Sequence, residues 1–517
     1  MRNGPKTECS KWKHQRDRQK PRSSYCLLTR PVCKDAFLFL LGISQDLLTR
    51  LHKHYQAEGL TPSRRKTGGR KNNTRCLTFN DTARVVRFIK NYAEDHAVCL
   101  PGRVPGFKRE DIRLLPSSSP KSCIYRLYAE HATANGYRQV GKSTFGKLWG
   151  ELCPFIVVAR PMTDLCWRCQ RNNTRIYRSA NLTMEEKNVL LLEQQAHLSQ
   201  VEGERQLYRE MTADAKDVAH QRGLQQLQPT RANSGDFAMH YSFDFAQQVH
   251  YPSDAAQPGP LYFLTPRKCG IFGVHCEGLS QQVNFLIDEA VSSSKGSNAV
   301  ISYMHYFFAN YGLGEKSIHL HCDNCAGQNK NRWMLFYFAW RVQVGLHSAV
   351  TINFMPPGHT KFAPDWCFGL LKRRFRRAHV SCLDDLQDVV KESTPVSRLN
   401  IPQLVGSEDA TVIVPTYDWH SFFTPAYKPL PGIKPIGHFR FDSQHPGKVF
   451  YKTTIADAEK EMMLAVPDQV AQLPRMPAII PPAGLSRERQ QYLFQHIREY
   501  VRDDKRDFVC PRLDHHI

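Results

Sequence analysis

Residues 236–377 alternate between strand-like and helix-like patterns in an order that few folds accommodate. Strands are predicted where aromatic and β-branched residues alternate with polar ones, at 239–252, twice within 261–278 as a hairpin, at 317–323 and at 349–358. Apolar helices are predicted at 298–311, 328–344 and 364–377. The order is strand, strand, strand, helix, strand, helix, strand, helix. It predicts an α/β fold with a mixed five-stranded sheet and flanking helices.

Three aspartates occupy comparable places in these elements. Asp244 lies in the first strand, Asp323 directly follows the fourth, and Asp365 begins the helix after the fifth. They are 79 and 42 residues apart, so only the fold can bring them together. Three carboxylates are what two divalent cations need around one phosphodiester, and hard oxygen ligands suit Mg²⁺ or Mn²⁺. The predicted role of all three aspartates is therefore catalytic and metal-binding.

Each aspartate also has an ordinary interpretation. Asp244 fits a solvent-facing strand position, Asp323 fits a helix cap, and Asp365 fits a first helical turn, where the helix dipole favours a negative charge. If Asp365 does not supply the third carboxylate, the alternatives are Asp384, Asp385 and Glu392.

The residues around the second and third aspartates suit contact with phosphates. Gly327 to Lys330 are predicted to open a helix whose N–H groups face a phosphate, with Lys330 and Lys361 contacting the backbone. His359 is a catalytic candidate that would orient water or the scissile phosphate, although PPGHT is also an ordinary tight turn. The helix after Pro364 carries further predicted DNA contacts at Lys372, Arg373, Arg374, Arg376 and Arg377, or else a solvated basic end.

The net charge of +22 points to a polyanionic partner, most simply nucleic acid. Residues 1–75 carry 18 of the 70 basic and 5 of the 48 acidic side chains, so they supply +13 of the excess. Within them, residues 36–56 predict two helices that meet near Gly42 with Ser44 as a cap, a helix-turn-helix shape or any small helical hairpin. Arg64, Arg65 and Lys66 lie in a basic arm suited to DNA contact or nuclear import.

The 16 cysteines are scattered, and the polar, basic start of the chain predicts no secretory signal, so reduced thiols are expected. Cys166 and Cys169 have the spacing of half a zinc site or are simply a pair of thiols. Cys153, His197 and His220 are the candidates for further ligands. Cys322 and Cys325 share this spacing but fit a strand end and a turn. The apolar runs are far shorter than the roughly 20 residues of a membrane span, so no membrane partner is expected.

Two strings carry a family resemblance, HCDNCAGQNKNRWMLFYFAWRV and NFMPPGHTKFAPDWCFGLLKRRFRR. They resemble an uncharacterised transposon-derived family with D-N-C-x-G-Q-N-K-N and P-G-H-T-K-F-x-P-D motifs, which is similar to DDE/DDD transposases with an RNase H-like core. The upstream DLCWRC and the YDW and HFRF segments share the resemblance, which covers roughly residues 30–455. It implies a mobile-element transposase or a host copy of one, located in the nucleus. Asp323 and Asp365 match its motif acids, and Asp244 matches its first-strand acid.

The expected organisation has six segments. The helical N-terminal part precedes an RNase H-like core, and a small β-rich segment follows. In chain order, the six segments are a basic arm with a helix-turn-helix-like segment (1–75), a helical segment that is a DNA-binding candidate (76–160), a CxxC segment with a long helix from Thr183 (161–235), the catalytic-type core (236–392), a β-rich accessory segment (393–465), and a Pro-rich linker with a C-terminal helix (466–517).

The expected function is metal-dependent phosphodiester hydrolysis and strand transfer on DNA, with element ends and target DNA as partners and self-association left open. The alternative is a domesticated, catalytically inactive DNA- or chromatin-binding protein. A nuclease acting on RNA–DNA hybrids is a third hypothesis. No GxSxG, P-loop or HExxH motif supports a triad hydrolase, a nucleotide triphosphatase or a zincin.

Overall fold

The structure is a computed structural model that describes residues 2–3, 23–62, 76–99, 112–159, 166–178, 182–292, 294–395 and 398–512. The chain divides into two compact units, Met1–Val85 and Val86–Ile517. In the ranges described, none of the helices combines the length and the apolar character that crossing a membrane requires.

The first unit contains a small antiparallel sheet and a pair of helices. Its elements are β1 (Arg2–Asn3), β2 (Ser23–Leu27), β3 (Arg30–Val32), α1 (Lys34–Leu41) and α2 (Gln45–Glu58). The two helices meet as the sequence predicts. Gly42 ends α1 with a φ of 62°, which glycine adopts without strain, and the Ser44 hydroxyl accepts a hydrogen bond from Leu47 N at 3.2 Å. Phe37 and Leu48 are the buried apolar residues of this pair.

Next along the chain is a mainly helical region. Its elements are α3 (Phe79–His96), β4 (Val98–Cys99), β5 (Arg113–Leu115), α4 (Lys121–Ala134), α5 (Lys142–Leu152) and β6 (Ile156–Val158). The three strands form one small sheet. Tyr128, Phe145 and Trp149 pack their rings 5.0–5.8 Å apart between α4 and α5.

Helix α6 (Trp167–Arg178) and helix α7 (Met184–Gln221) follow. The predicted start of α7 is confirmed, because Thr183 and Glu186 form the reciprocal capping box that the sequence indicates. The 38-residue helix is polar overall, yet it buries a stripe that includes Leu190, Val201 and Ala215.

A nine-stranded mixed sheet forms the centre of the second unit. The remaining elements are β7 (Gly235–Tyr251), β8 (Arg267–Cys276), β9 (Gln281–Asp288), α8 (Ser297–Asn310), β10 (Glu315–Cys322), α9 (Arg332–Gln343), β11 (Ala349–Phe354), α10 (Ala363–Phe375), α11 (Leu383–Glu392), β12 (Asn400–Leu404), β13 (Thr416–Tyr417), α12 (Trp419–Phe423), β14 (His438–Asp442), β15 (Lys448–Lys452), β16 (Lys460–Met463), α13 (Pro467–Val470), β17 (Ile479–Ile480), α14 (Arg487–Tyr492) and α15 (Arg506–Val509).

The strand order of this sheet is β12-β9-β8-β7-β10-β11-β14-β15-β16. The pairs β7/β8 and β8/β9 are antiparallel, whereas β7/β10 and β10/β11 are parallel. β12 adds in parallel to one edge, and β14 to β16 add an antiparallel meander to the other. The mixed α/β class predicted from the sequence is therefore confirmed, with a sheet larger than the five strands expected.

Two apolar clusters pack against this sheet. One joins β7, β10 and β11 to α8, α9 and α12, with Phe243, Tyr337 and Trp419 fully buried in it. The other joins the far end of β7 to α10, α11 and the C-terminal segment, through residues such as Leu371, Leu386 and Ile497. The sheet thus carries helices on both of its faces.

The prediction of a hairpin within 261–278 is wrong. Pro260–Phe263 form a 3₁₀ turn, β8 occupies the rest of the segment, and its hairpin partner is β9. β9 was missed because all eight of its residues are buried, so the strand shows no alternation. Hydrogen bonds link some of its polar side chains: Gln282 donates to Asn284, which donates to Asn400 on β12.

Candidate functional site

The sheet register places Asp244 and Asp323 side by side. Cys322 at the end of β10 pairs with Phe243 of β7 in the parallel ladder, so the next residue of each strand is an aspartate. Neighbouring strands lie about 4.8 Å apart, and successive side chains point to opposite faces. Because Phe243 and Cys322 both point into the apolar cluster of α8 and α9, the two aspartates project from the other face.

Helix α10 brings Asp365 to the same place by packing on β8. Gly273 is the antiparallel partner of Asp244, and a Cβ at Gly273 would lie 2.7 Å from the ring of Phe368. Phe368 follows Asp365 by three residues, one helical turn. The missing side chain of Gly273 therefore lets the first turn of α10 rest on the sheet beside Asp244.

The electrostatics of Asp244 report the proximity of the three carboxylates. Burial and, after it, the charges of Asp323 and Asp365 raise the pKa of Asp244 to about 7, against one lowering hydrogen bond from the backbone of Phe245. That bond joins Phe245 N to Asp244 Oδ1 over 2.7 Å. A carboxyl group with this pKa is poised to exchange its proton for a cation at neutral pH.

Asp323 and its loop are fixed by a set of amide hydrogen bonds. Cys325 N and Asn329 Nδ2 donate to Asp323 Oδ1, at 3.1 and 2.5 Å. Lys330 Nζ donates to Asn324 Oδ1 at 2.8 Å, and the ammonium group lies 4.9 Å from the centre of the Phe354 ring. Burial lowers the pKa of Lys330 to about 8. Lys330 thus supports the Asp323 loop from a half-buried position.

The expected helix opening at Gly327 to Lys330 is absent. These residues form a turn, and the backbone N–H groups of Gln328, Asn329 and Lys330 all point at the carbonyl of Cys325, 2.8–3.2 Å away. The helix begins only at Arg332, capped by the Asn331 side chain. Those N–H groups are therefore engaged within the turn, which argues against the predicted phosphate site there.

The alternative acids for the third position lie in other interactions. Glu392 pairs with Arg374, Asp385 accepts hydrogen bonds from Ser381 N and Arg502, and Asp384 faces Lys505 at 3.5 Å. All three residues belong to α11. Asp365 is the acid whose charge reaches Asp244, so it is the best candidate of the four.

The basic residues of α10 differ in their surroundings. Lys372 is half-buried, and its pKa is lowered by burial and by the neighbouring Arg376, with Asp365 acting in the opposite direction. Arg373, Arg376 and Arg377 are exposed, as is Lys361 in the preceding loop, whereas Arg374 is paired with Glu392. Arg64, Arg65 and Lys66 lie outside the described residues.

A second set of side chains forms what we call the Cys/His cluster. Its ligand-type atoms all lie within 4.8 Å of one another, and its members are Cys166, Cys169, His197 and His359. Cys166 Sγ lies 3.3 Å from His197 Nε2, and Cys169 Sγ lies 3.6 Å from His359 Nε2. The two thiols bracket the start of α6 and His197 comes from α7. The chain therefore contains a Cys/His cluster able to bind a metal.

This cluster changes the interpretation of His359. Its Nε2 faces a thiol, its ring centre lies 5.3 Å from that of His197, and burial is the main cause that lowers its pKa to about 4. The structure therefore places His359 at a ligand-type position in the Cys/His cluster, and its catalytic role stays a prediction. Of the other ligand candidates, His197 belongs to the cluster, whereas Cys153 follows α5 and His220 ends α7.

Among the residues that the structure describes, no second group of three or more such side chains is as close as the Cys/His cluster. The ligand atoms of Asp244, Asp323 and Asp365 do not come together as those of the Cys/His cluster do. Their proximity rests on the sheet register and on the charges that act on Asp244.

Comparison with protein families finds one match. Residues 265–457 match a family described as a domain of unknown function, DUF7869. The matched region includes Asp323, His359 and Asp365, whereas Asp244 and the other three members of the Cys/His cluster precede it. No curated protein is significantly similar to the chain.

Proposed function

We propose that this chain is a transposase-like DNA strand-transfer protein whose active site is formed by Asp244, Asp323 and Asp365. The observation that carries the proposal is the convergence of these three carboxylates from β7, the end of β10 and the first turn of α10. The raised pKa of Asp244, caused by burial and then by the other two charges, supports it.

The five strands β9-β8-β7-β10-β11 are proposed to be an RNase H-like core. Support comes from three antiparallel strands followed along the chain by two strands that are parallel to the first, with helices in the expected intervals. The acids stand where this fold would need them. The outer strands β12 and β14 to β16 then extend such a core on both sides.

The residues present fit a pair of Mg²⁺ or Mn²⁺ ions. Hard carboxylate oxygens are suitable ligands, and the repulsion felt by Asp244 is relieved when a cation is bound. When bound, such cations activate the attacking water or 3′-hydroxyl and stabilise the leaving oxygen.

The chain's own residues orient this site. Asn329 and the amide of Cys325 hold the carboxylate of Asp323, and the amide of Phe362 donates to Asp365 Oδ2 at 3.0 Å. The exposed Arg373 in α10 and Arg377 just after it are the residues we propose to contact DNA phosphates. We propose that α10 contributes an acid at one end and DNA contacts at the other.

For the Cys/His cluster we propose zinc as the metal. Two thiolates and two imidazoles are a standard ligand set for structural zinc, and this set leaves no open position for chemistry. Cys322 and Cys325 are not part of it.

A strand-transfer assay tests the function. A labelled DNA duplex ending in a 3′-hydroxyl is incubated with a supercoiled plasmid, the full chain and Mn²⁺. We expect labelled open-circular plasmid, formed only when the divalent cation is present. If the chain binds DNA but produces neither this product nor any nicking, the domesticated, inactive alternative would be supported. Cleavage confined to an RNA–DNA hybrid offered in parallel would instead support a hybrid-specific nuclease.

A further inference from the structure

We propose that one zinc ion in the Cys/His cluster fixes the turn that leads into α10, and thereby sets the position of Asp365. The role of Asp365 rests on the proposed function, whereas zinc binding and the fixing of the turn do not. The cluster would thus join α6 and α7 to the loop at the end of β11, although these segments are far apart in sequence.

Two separations in the cluster match those between neighbouring ligands of a tetrahedral zinc ion. Bond lengths of about 2.3 Å to sulfur and about 2.0–2.1 Å to nitrogen place neighbouring ligand atoms about 3.3–3.8 Å apart. The Cys166–His197 and Cys169–His359 separations of 3.3 and 3.6 Å fall in this range. Three of the four members are buried, which suits a closed structural site.

The turn 356–359 lies directly against the first thiol ligand. His359 N donates to Pro356 O at 3.0 Å, and Gly358 has a φ of 79°, which glycine adopts readily. A Cβ at Gly358 would lie 2.4 Å from Cys166 Cα, so the two backbones are in direct contact. The glycine of the PPGHT string is therefore required both by the turn and by the approach of Cys166.

Helix α7 holds the turn from its other side. Arg205 donates a hydrogen bond to the carbonyl of His359 at 3.2 Å, two helical turns after the ligand His197. The ring of Tyr208 packs against that of Phe362, the residue that precedes α10, with the ring centres 5.6 Å apart. One face of α7 therefore contacts the loop at both ends of the segment 359–362.

The same loop connects the second and third acids. At its start, Asn324 donates to the carbonyl of Met355 at 2.6 Å, which ties the loop to the neighbour of Asp323. At its end, Phe362 N donates to Asp365 Oδ2. A ligand in the middle of a loop bounded in this way limits how far the start of α10 can move relative to Asp323.

The first experiment measures zinc in the purified full chain by mass spectrometry. We expect one equivalent in the wild type, none in Cys169→Ser, and one in Cys153→Ser, a buried thiol outside the cluster. The proposal is wrong if the wild type contains no zinc after growth and reconstitution with zinc. It is also wrong if the two variants bind equal amounts of zinc.

The second experiment measures hydrogen exchange before and after zinc is removed from the wild type by a chelator, which avoids variants that fail to fold. Amides of residues 355–365 should exchange at least about tenfold faster without zinc and recover when zinc is restored. Amides of β15, a strand that contributes no ligand to the cluster, serve as the internal control. Unchanged exchange at 355–365 would contradict the coupling.

The variant His359→Cys separates a ligand role from a catalytic one. Cysteine also binds zinc, so this variant should keep the zinc and the slow exchange, while His359→Ala should lose both. If His359→Cys binds zinc but has lost strand transfer, the histidine acts in catalysis and its positioning role is wrong. If zinc and exchange behave as expected in a chain that never cleaves DNA, only the proposed function fails.

Discussion

Asp323 lies beside Asp244 because it is the residue that follows Cys322, whose partner in the parallel ladder is Phe243. The two carboxylates come from adjacent strands and leave the sheet on the same face. Burial, and after it the repulsion from Asp323 and Asp365, raises the pKa of Asp244 to about 7. The following predictions use this relationship and the packing of α10 next to it.

Asp244 should contribute a loss of stability to the metal-free protein as the pH rises from about 4 to 7. The folded state keeps a proton on Asp244 up to pH about 7, whereas an unfolded aspartate releases it near pH 4, so the folded state binds more protons in this window. Asp244→Asn removes this effect and should raise the free energy of unfolding at pH 8 by about 1–3 kcal/mol, with little change at pH 4.

Denaturant unfolding at the two pH values, with and without excess Mg²⁺, measures this effect. The matched control is Asp236→Asn, an exposed acid on the same strand. Excess Mg²⁺ should stabilise the wild type at pH 8 and leave Asp244→Asn nearly unchanged. A gain in stability that is equal at pH 4 and pH 8 would contradict the assignment.

Gly273→Ala should displace α10. The new Cβ would overlap the ring of Phe368, which we expect to cost about 1–3 kcal/mol of stability and to reduce strand transfer without removing any charge. Thermal unfolding and the strand-transfer assay measure the two effects.

Gly270→Ala on the same strand is the control, because its Cβ would meet Ile287 at an ordinary 3.5 Å. The double variant Gly273→Ala, Phe368→Leu should recover part of the stability, since the smaller side chain makes room. The packing argument is wrong if the two glycine variants behave alike.

Arg373→Gln and Arg377→Gln should each weaken DNA binding to a similar degree for all sequences. The plot of log affinity against log salt concentration has a negative slope, and each lost phosphate contact reduces the magnitude of that slope by about 0.9. Arg374→Gln should change the slope less, because that guanidinium is already paired with Glu392. Fluorescence anisotropy over a salt series measures the slopes, and a larger effect at Arg374 than at Arg373 would count against the proposed DNA path.

Local sequence signals predicted much of the fold. The capping residues Thr183 and Ser44 gave the starts of α7 and α2 correctly, because a cap acts within one turn of its own helix. The predicted C-terminal helix is interrupted, since α14 ends at Tyr492 and the chain passes into π and 3₁₀ turns.

Long-range relationships were harder to predict from sequence. β9 has no alternation because both of its faces are buried, and Gly273 has a role only through the ring of Phe368. His359 is 190 residues from Cys169, so no ligand spacing connects them. The string PPGHT contains the glycine that Cys166 approaches and the histidine of the Cys/His cluster. The roles of these two residues become evident only in the fold, where the start of α6 lies against the turn.

The most direct test of the central claim compares Asp323→Asn with Asp384→Asn, an exposed acid of α11, in Mn²⁺-dependent nicking and joining of plasmid DNA. Both variants should bind DNA like the wild type. The account predicts that Asp323→Asn loses at least about 100-fold in rate, the scale expected when one group that stabilises transition-state charge is removed, while Asp384→Asn keeps wild-type activity. Wild-type nicking and joining by Asp323→Asn would contradict the three-aspartate site.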